Sequence, residues 1–184
     1  MRKLFTLIVL LGTSSVWAAD YVVDTKGAHA SIDFRFRHLN ISWLTGEFKD
    51  FDGTISYDEA DPGASRVEVN IRTASIDSNN AERDKHMRGE KFLNTSEFPH
   101  AHFVSTRVES TGDGKATIHG NLTLHGVTKE VAINASLTGA GDDPWGGYRI
   151  GFEGTITINT LDFGMKMPPS SMVEMSLYLE GVRR

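Results

Sequence analysis

Apolar and polar side chains alternate at every second position along most of this chain, and that period of two constrains its fold more than any other feature. In the first clear example, Ile32, Phe34 and Phe36 share one face of a segment, while Asp33 and Arg35 share the other. Such alternation is typical of a β-strand with one face turned to an interior and the other to water. The chain is therefore predicted to be all-β.

The alternation recurs in about eight runs along the chain. The predicted strands lie within residues 32–38, 51–57, 67–71, 104–108, 118–124, 131–137, 150–158 and 173–179, with a further short one at 21–24. Phe48 is out of phase with Phe51, which predicts a β-bulge between them. An up-and-down antiparallel barrel of about eight strands closes its own edges and can hold one small ligand. A two-sheet sandwich stays open as the alternative, because alternation does not show closure.

Four glycines fall on the apolar faces of these predicted strands: Gly53, Gly120, Gly154 and Gly181. Glycine at such a position either leaves room for a ligand or allows the strand to bend as a barrel requires. The sequence does not decide between these two roles.

Residues 1–18 have the three-part layout of a secretory signal peptide. Arg2 and Lys3 precede an apolar run, and the segment closes on the small residue Ala18. The apolar run is far shorter than the roughly 20 residues that a membrane-spanning helix needs, so stable membrane insertion is not expected. We predict export to the periplasm and one mature domain that covers residues 19–184.

The net charge and the residue content of the chain limit which binding partners and which metal or thiol chemistry can be expected. The formal charge is −5 and becomes −7 without Arg2 and Lys3, which argues against nucleic acid as a partner. The chain contains no cysteine, so disulfides, thiolate metal sites and thiol nucleophiles are excluded. His100 and His102 have the spacing of a metal-binding pair, but the sequence shows no third ligand for them. We predict no metal site and no required cofactor.

Residues 79–92 form the one clearly helical and densely charged stretch. The predicted helix has a single large apolar residue, Met87, with Arg83 and Asp84 on its flanks and His86 three positions beyond Arg83. In one interpretation these polar groups line an end of the barrel cavity and hydrogen-bond the polar head of a ligand. In the other, the charges form surface pairs at four-residue spacing and face water. The residues alone leave both interpretations open.

The residue types of a catalytic site are present without a recognisable arrangement. His86 or His38 could be combined with Asp84 and the hydroxyl of Ser78. No nucleophile elbow, metalloprotease helix, phosphate loop or dinucleotide fingerprint occurs, so the protein is predicted not to be an enzyme. His38 also shares the inward phase of Phe34, which predicts either core packing or contact with a ligand.

Several sequence strings carry a resemblance to a known family. They are NAERDKHMR at 80–88, FLNTSEFP at 92–99, LTLHGVTKEV at 122–131 and GDDPWGG at 141–147. Together they closely resemble the periplasmic YceI-like family, over about residues 19–182. The resemblance implies an extended, eight-stranded, lipocalin-like antiparallel barrel with one short charged helix, in which an elongated apolar tunnel holds an amphiphile with a long isoprenoid or acyl tail. Relatives of this kind are commonly dimers.

The resemblance also implies which residues would contact the lipid. The head-group candidates are Arg83, Asp84, His86 and His38. The tunnel candidates share the inward phase and are Phe34, Phe36, Phe48, Phe51, Leu122, Leu124, Phe152 and Ile156. The expected function is that of a periplasmic carrier that encloses a polyprenyl or quinone-type lipid. Two alternatives stay open, an enzyme that modifies a lipid head group and a ligand-free envelope stress protein.

Overall fold

The computed structural model describes residues 18–165 and 171–184, so the predicted signal peptide lies, apart from Ala18, outside the described residues. The strands are β1 (Ala19–Val23), β2 (Ser31–His38), β3 (Ser42–Phe48), β4 (Phe51–Tyr57), β5 (Arg66–Arg72), β6 (Ile76–Asp77), β7 (His100–Gly112), β8 (Lys115–Leu124), β9 (Val127–Asp142), β10 (Tyr148–Asn159) and β11 (Met172–Arg183). The helix α1 spans Ala81–Arg88. In the described part of the chain, no helix has the length and apolarity required to cross a membrane.

These strands occupy eight positions around a closed antiparallel barrel. Both β1 and β2 pair with β11, at its C-terminal and N-terminal halves respectively. On their other side, β4 pairs with β1 and β3 pairs with β2. The next position holds β5 and β6, and β7 to β11 complete the ring. The predicted eight-stranded barrel is confirmed, and the sandwich alternative is wrong because the ring closes.

Two strands were not predicted, β3 and the two-residue β6. β3 ends at Phe48, and β4 begins at Phe51 in the same place in the ring. β3 therefore lengthens one wall of the barrel without adding a ninth strand position. Its alternation is hidden because Gly46 takes an inward place beneath the Phe34 ring. The large Trp43 faces outward instead, with the guanidinium of Arg35 4.5 Å from its ring centre.

Because the strands run up and down, their connections gather at two ends of the barrel. The helix end carries α1, the turn between β2 and β3, and the turn between β8 and β9. The hairpin end carries the turn between β7 and β8, the loop 58–65, and the loop between β9 and β10. Which residues line the interior near each end decides where a ligand could enter.

All four glycines on apolar faces make room for neighbouring atoms. A Cβ atom built on Gly120 would lie 2.5 Å from both Phe103 Cζ and the Val104 carbonyl oxygen. Gly53, Gly154 and Gly181 are crowded in the same way, by the side chains of Val23, Ile133 and Tyr21 respectively. Close packing leaves no space there for a methyl group without displacement of neighbours.

An ion-pair network closes the gap that separates β1 from β2. Arg149 Nη1 donates to Asp24 Oδ2 at 2.6 Å and to Glu180 Oε1 at 2.5 Å, and Arg149 Nε donates to Asp143 Oδ2 at 2.9 Å. His29 Nδ1 lies 3.0 Å from the same Asp24 oxygen. The hydrogen bond from Arg149 is the main reason that the pKa of Asp24 lies well below its usual range.

We predict that Gly120→Ala lowers the free energy of unfolding by about 1–3 kcal/mol, because the new methyl group overpacks the wall beside Phe103. Gly139→Ala is the matched control, since a Cβ at Gly139 meets nothing within 4 Å. Urea unfolding followed by tryptophan fluorescence measures both variants. Equal stability of the two would contradict the packing argument.

We predict that Asp24→Asn lowers the free energy of unfolding by about 1.5–3 kcal/mol at neutral pH, because hydrogen bonds to a charged group are lost. A depressed folded-state pKa stabilises the protein above the unfolded pKa of about 4, and this stabilisation disappears as the pH falls further. The difference between wild type and variant should therefore shrink below about pH 4. Thermal unfolding across pH measures it, with the exposed Asp113→Asn as a control that changes nothing.

Candidate functional site

The barrel encloses a cavity of about 460 Å³, called here the outer chamber. Its walls are inward side chains of β4, β5 and β7 to β11, most of them aliphatic or aromatic. Its lining also includes the exposed residues Glu59, Asp113 and Lys115, which belong to the hairpin end. The outer chamber therefore reaches the surface at that end.

A row of small side chains creates much of this space. Ala116 of β8 pairs with Ala135 of β9, and Ala135 pairs in turn with Gly154 of β10. All three residues line the outer chamber. Larger residues at these adjoining places would fill the middle of an eight-stranded barrel, as barrels of this size commonly do. Of the four glycines, Gly154 is the one that lines the outer chamber, and a Cβ there would lie 3.1 Å from Ile133 Cγ2.

A second void of about 90 Å³, called here the inner chamber, lies at the helix end. Met87 of α1 and Leu93 of the following loop contribute to its lining together with inward residues of the barrel. Four side chains line both voids and therefore separate them: Ile71, Leu122, Ile158 and Met175. The two chambers follow one another along the barrel.

Polar groups surround the mouth of the outer chamber. Glu59, Asp113, Glu153 and Lys115 belong to its lining, and the Ser136 hydroxyl donates to Glu153 Oε1 at 2.8 Å. Tyr57 lies just inside, with its ring edge-on to that of Phe152 at a centroid distance of 5.4 Å. Burial, with the negative charge of Glu59, raises the pKa of the Tyr57 hydroxyl, which stays protonated and able to donate. An apolar group fits inside and a polar group fits at the mouth.

Most of the predicted tunnel residues line one of the chambers. The outer chamber is lined by Leu122, Phe152 and Ile156, and the inner chamber by Phe34, Phe36, Phe48, Leu122 and Leu124. Phe51 is buried in the core and lines neither chamber. Contact of these residues with a ligand stays a prediction.

The predicted head-group residues lie at the helix end, and none of the four lines either chamber. Asp84 is buried and accepts hydrogen bonds from the Ser78 backbone N–H at 2.9 Å and from the Ser78 hydroxyl. Arg83 donates to the Ser78 hydroxyl at 2.7 Å and to its carbonyl oxygen at 2.6 Å. His86 and His38 are exposed. Their role as head-group ligands stays a prediction.

The helix is therefore held to the barrel by its own charges. Asn80 caps the first turn, where its side-chain oxygen accepts from the Arg83 backbone N–H at 3.0 Å. Arg83 and Asp84 form hydrogen bonds with Ser78, the residue that follows β6. This arrangement places Met87 over the inner chamber. The sequence identified the charged residues but missed the small-residue row, whose signal depends on strand register.

Within residues 18–165 and 171–184, one group of three residues has side-chain atoms close enough together to hold a metal ion. It consists of Asp24, His29 and Glu180, on the outer surface of the barrel. Arg149 already donates to the two carboxylates, so a cation there would compete with a fixed positive charge. His102 instead pairs with Glu68, at 3.0 Å. These contacts favour ion-pair networks at both places.

We predict that Asp84→Ala lowers the free energy of unfolding by about 1–3 kcal/mol, because the buried Ser78 N–H loses its partner. His86→Ala on the same helix should change it by less than about 0.5 kcal/mol, since His86 is exposed. Chemical unfolding measures both. An Asp84→Ala variant with unchanged stability would contradict the structural role.

The architecture is that of a closed, hollow β-barrel with room for one small ligand. Comparison with known sequences identifies the family within this class of proteins. The model of the YceI-like domain matches residues 21–180, so the chain belongs to the YceI-like family. A UPF0312 protein of Shewanella baltica is 54% identical over 189 residues, which cover 100% of this chain and 99% of that protein. These relatives confirm the family that the sequence strings indicated.

Two solved structures share the fold. Burkholderia cenocepacia BcnA superposes with a TM-score of 0.77 at 21% sequence identity. The superposition covers 86% of this chain and 98% of the BcnA chain. A polyisoprenoid binding domain from Saccharophagus degradans, implicated in plant cell wall breakdown, superposes with a TM-score of 0.67 at 16% identity, over 91% and 99% of the two chains. At these identities the likeness extends to the fold alone.

Proposed function

We propose that the protein binds a long-chain isoprenoid lipid, of the polyprenyl or quinone type, with the tail enclosed in the barrel. The observation that carries this proposal is the outer chamber, an apolar hollow of about 460 Å³ whose space comes from small residues in register. A preformed apolar cavity with a few polar groups at its mouth is the usual form of a site for an amphiphile. The polyisoprenoid binding domain with the same fold supports the choice of tail.

The energetics favour tail burial. Each CH2-sized group removed from water contributes about 0.8 kcal/mol, so one isoprene unit of five carbons contributes about 3–4 kcal/mol. A few units are enough for tight binding after the cost of ordering the tail. Affinity then comes mainly from the tail, and the mouth selects the head group.

We propose that the polar end of the lipid lies at the hairpin end, in place of the helix end predicted from the sequence, because none of the four predicted head-group residues lines either chamber. The residues that line that mouth include three acidic ones, Glu59, Asp113 and Glu153, against the single basic Lys115. Repulsion from this charge excess disfavours a diphosphate, whereas a neutral quinone or alcohol can accept a hydrogen bond from the Tyr57 hydroxyl. A neutral head group is therefore the preferred ligand class.

We further propose that the protein acts as a carrier in the periplasm. Residues 1–18 support export, because they have the layout of a signal peptide. An enclosed tail would let the lipid cross an aqueous compartment without exposing its apolar surface to water. A carrier returns its lipid chemically unchanged, which separates it from an enzyme that modifies the head group.

We predict that Ala135→Phe abolishes retention of geranylgeraniol, because the ring fills the space beside Ala116 and Gly154. Ala132→Phe is the matched control, since Ala132 is an exposed residue of the same strand and should retain the alcohol like wild type. Native mass spectrometry of delipidated, reloaded protein measures retention, and the unfolding midpoint checks the fold. Undiminished retention by a folded Ala135→Phe variant, or recovery of a chemically altered alcohol from wild type, would contradict the proposal.

A further inference from the structure

We propose that the inner chamber receives the far end of the lipid tail and that α1 with its following loop sets the longest tail that fits. This inference rests on the proposed function, because it assigns the second void to the same ligand. It makes Met87 and Leu93 specificity-determining residues for tail length.

The inner chamber is suited to a hydrocarbon end and to nothing polar. Among the described residues that line it, Thr160 is the one with a polar side chain, and its hydroxyl donates to the Ser171 carbonyl oxygen at 3.0 Å. The other lining side chains are aliphatic, aromatic or thioether. A void of this kind offers water no hydrogen-bond partners, so it stays dry and accepts apolar groups.

The side chains that separate the two chambers can move aside without a shift of the backbone. Ile71, Leu122, Ile158 and Met175 line both voids. Met175 is half-buried and unbranched, with a flexible side chain that can take other rotamers at little cost. A tail that fills the outer chamber can therefore pass Met175 and enter the inner one.

The floor of the inner chamber is fixed more firmly than its partition. Arg88, one residue beyond Met87, donates to the carbonyl oxygens of Ala74 at 2.9 Å and Ile76 at 3.0 Å. The Leu93 backbone N–H donates to the Met87 carbonyl oxygen at 3.0 Å. Met87 and Leu93 are 6% and 8% exposed, so both side chains are packed into this end of the barrel. A tail that reaches them must stop.

The first test fills the inner chamber. Ala101 is buried on β7 and lines this void, so Ala101→Leu places three further carbons in it. Ala132→Leu, on the exposed face of β9, is the matched control. Delipidated proteins are offered an equimolar mixture of geranylgeraniol and solanesol, and native mass spectrometry gives the ratio of the two complexes. Ala101→Leu is expected to lower the solanesol share at least tenfold with an unchanged melting temperature, and Ala132→Leu to leave the ratio as in wild type.

The second test opens the floor. Met87→Ala enlarges the inner chamber and should raise the solanesol share above that of wild type.

If wild type retains neither alcohol, the proposed function itself fails. If wild type retains both, and the folded variants keep the wild-type ratio or lose both alcohols equally, the inner chamber is not the place of the tail end and the inference is overturned while the proposed function stands. Should Ala101→Leu not fold, the Met87→Ala ratio decides alone.

Discussion

Closure of the barrel by backbone pairing of β11 with both β1 and β2 is the constraint on which the rest of the structure depends. A closed ring of eight strand positions has a fixed width, so its inward side chains must either meet in the middle or leave a hollow. Here the row formed by Ala116, Ala135 and Gly154 is too small to meet the opposite wall. Ring closure and local residue size together produce the outer chamber. Neither would do so without the other.

The charges of the chain are divided between two tasks at the two ends. At the helix end, Arg83 and Asp84 both form hydrogen bonds with Ser78. These bonds hold in place a short helix that would not be stable alone. At the hairpin end, Glu59 and Asp113 are exposed around the opening of the outer chamber. Arg83 and Asp84 therefore hold α1 at this end of the barrel, because a buried charge requires a partner and Ser78 supplies it.

Much of the fold was predictable because its signals are local. The alternation at Ile32, Phe34 and Phe36 and the phase break between Phe48 and Phe51 are visible in the sequence, and the observed strands follow them. β3 escaped prediction because its inward place is a glycine and its outward place a tryptophan. Seven of the eight predicted tunnel residues line a chamber, since inward phase and cavity lining coincide in a hollow barrel. Phe51 shows the limit of that rule, because an inward residue can also pack against its neighbours.

The sequence by itself determined the all-β class, the approximate number of strands, the charged helix and the family, because each depends on periodicity or on contiguous strings. Only the tertiary structure decided that Ala116, Ala135 and Gly154 adjoin, that Asp84 turns to Ser78, and that the cavity reaches the surface at the hairpin end. These facts depend on strand register and on contacts between distant segments. A shift of register by one residue would reverse every inward side chain of a strand without changing a single letter of the sequence.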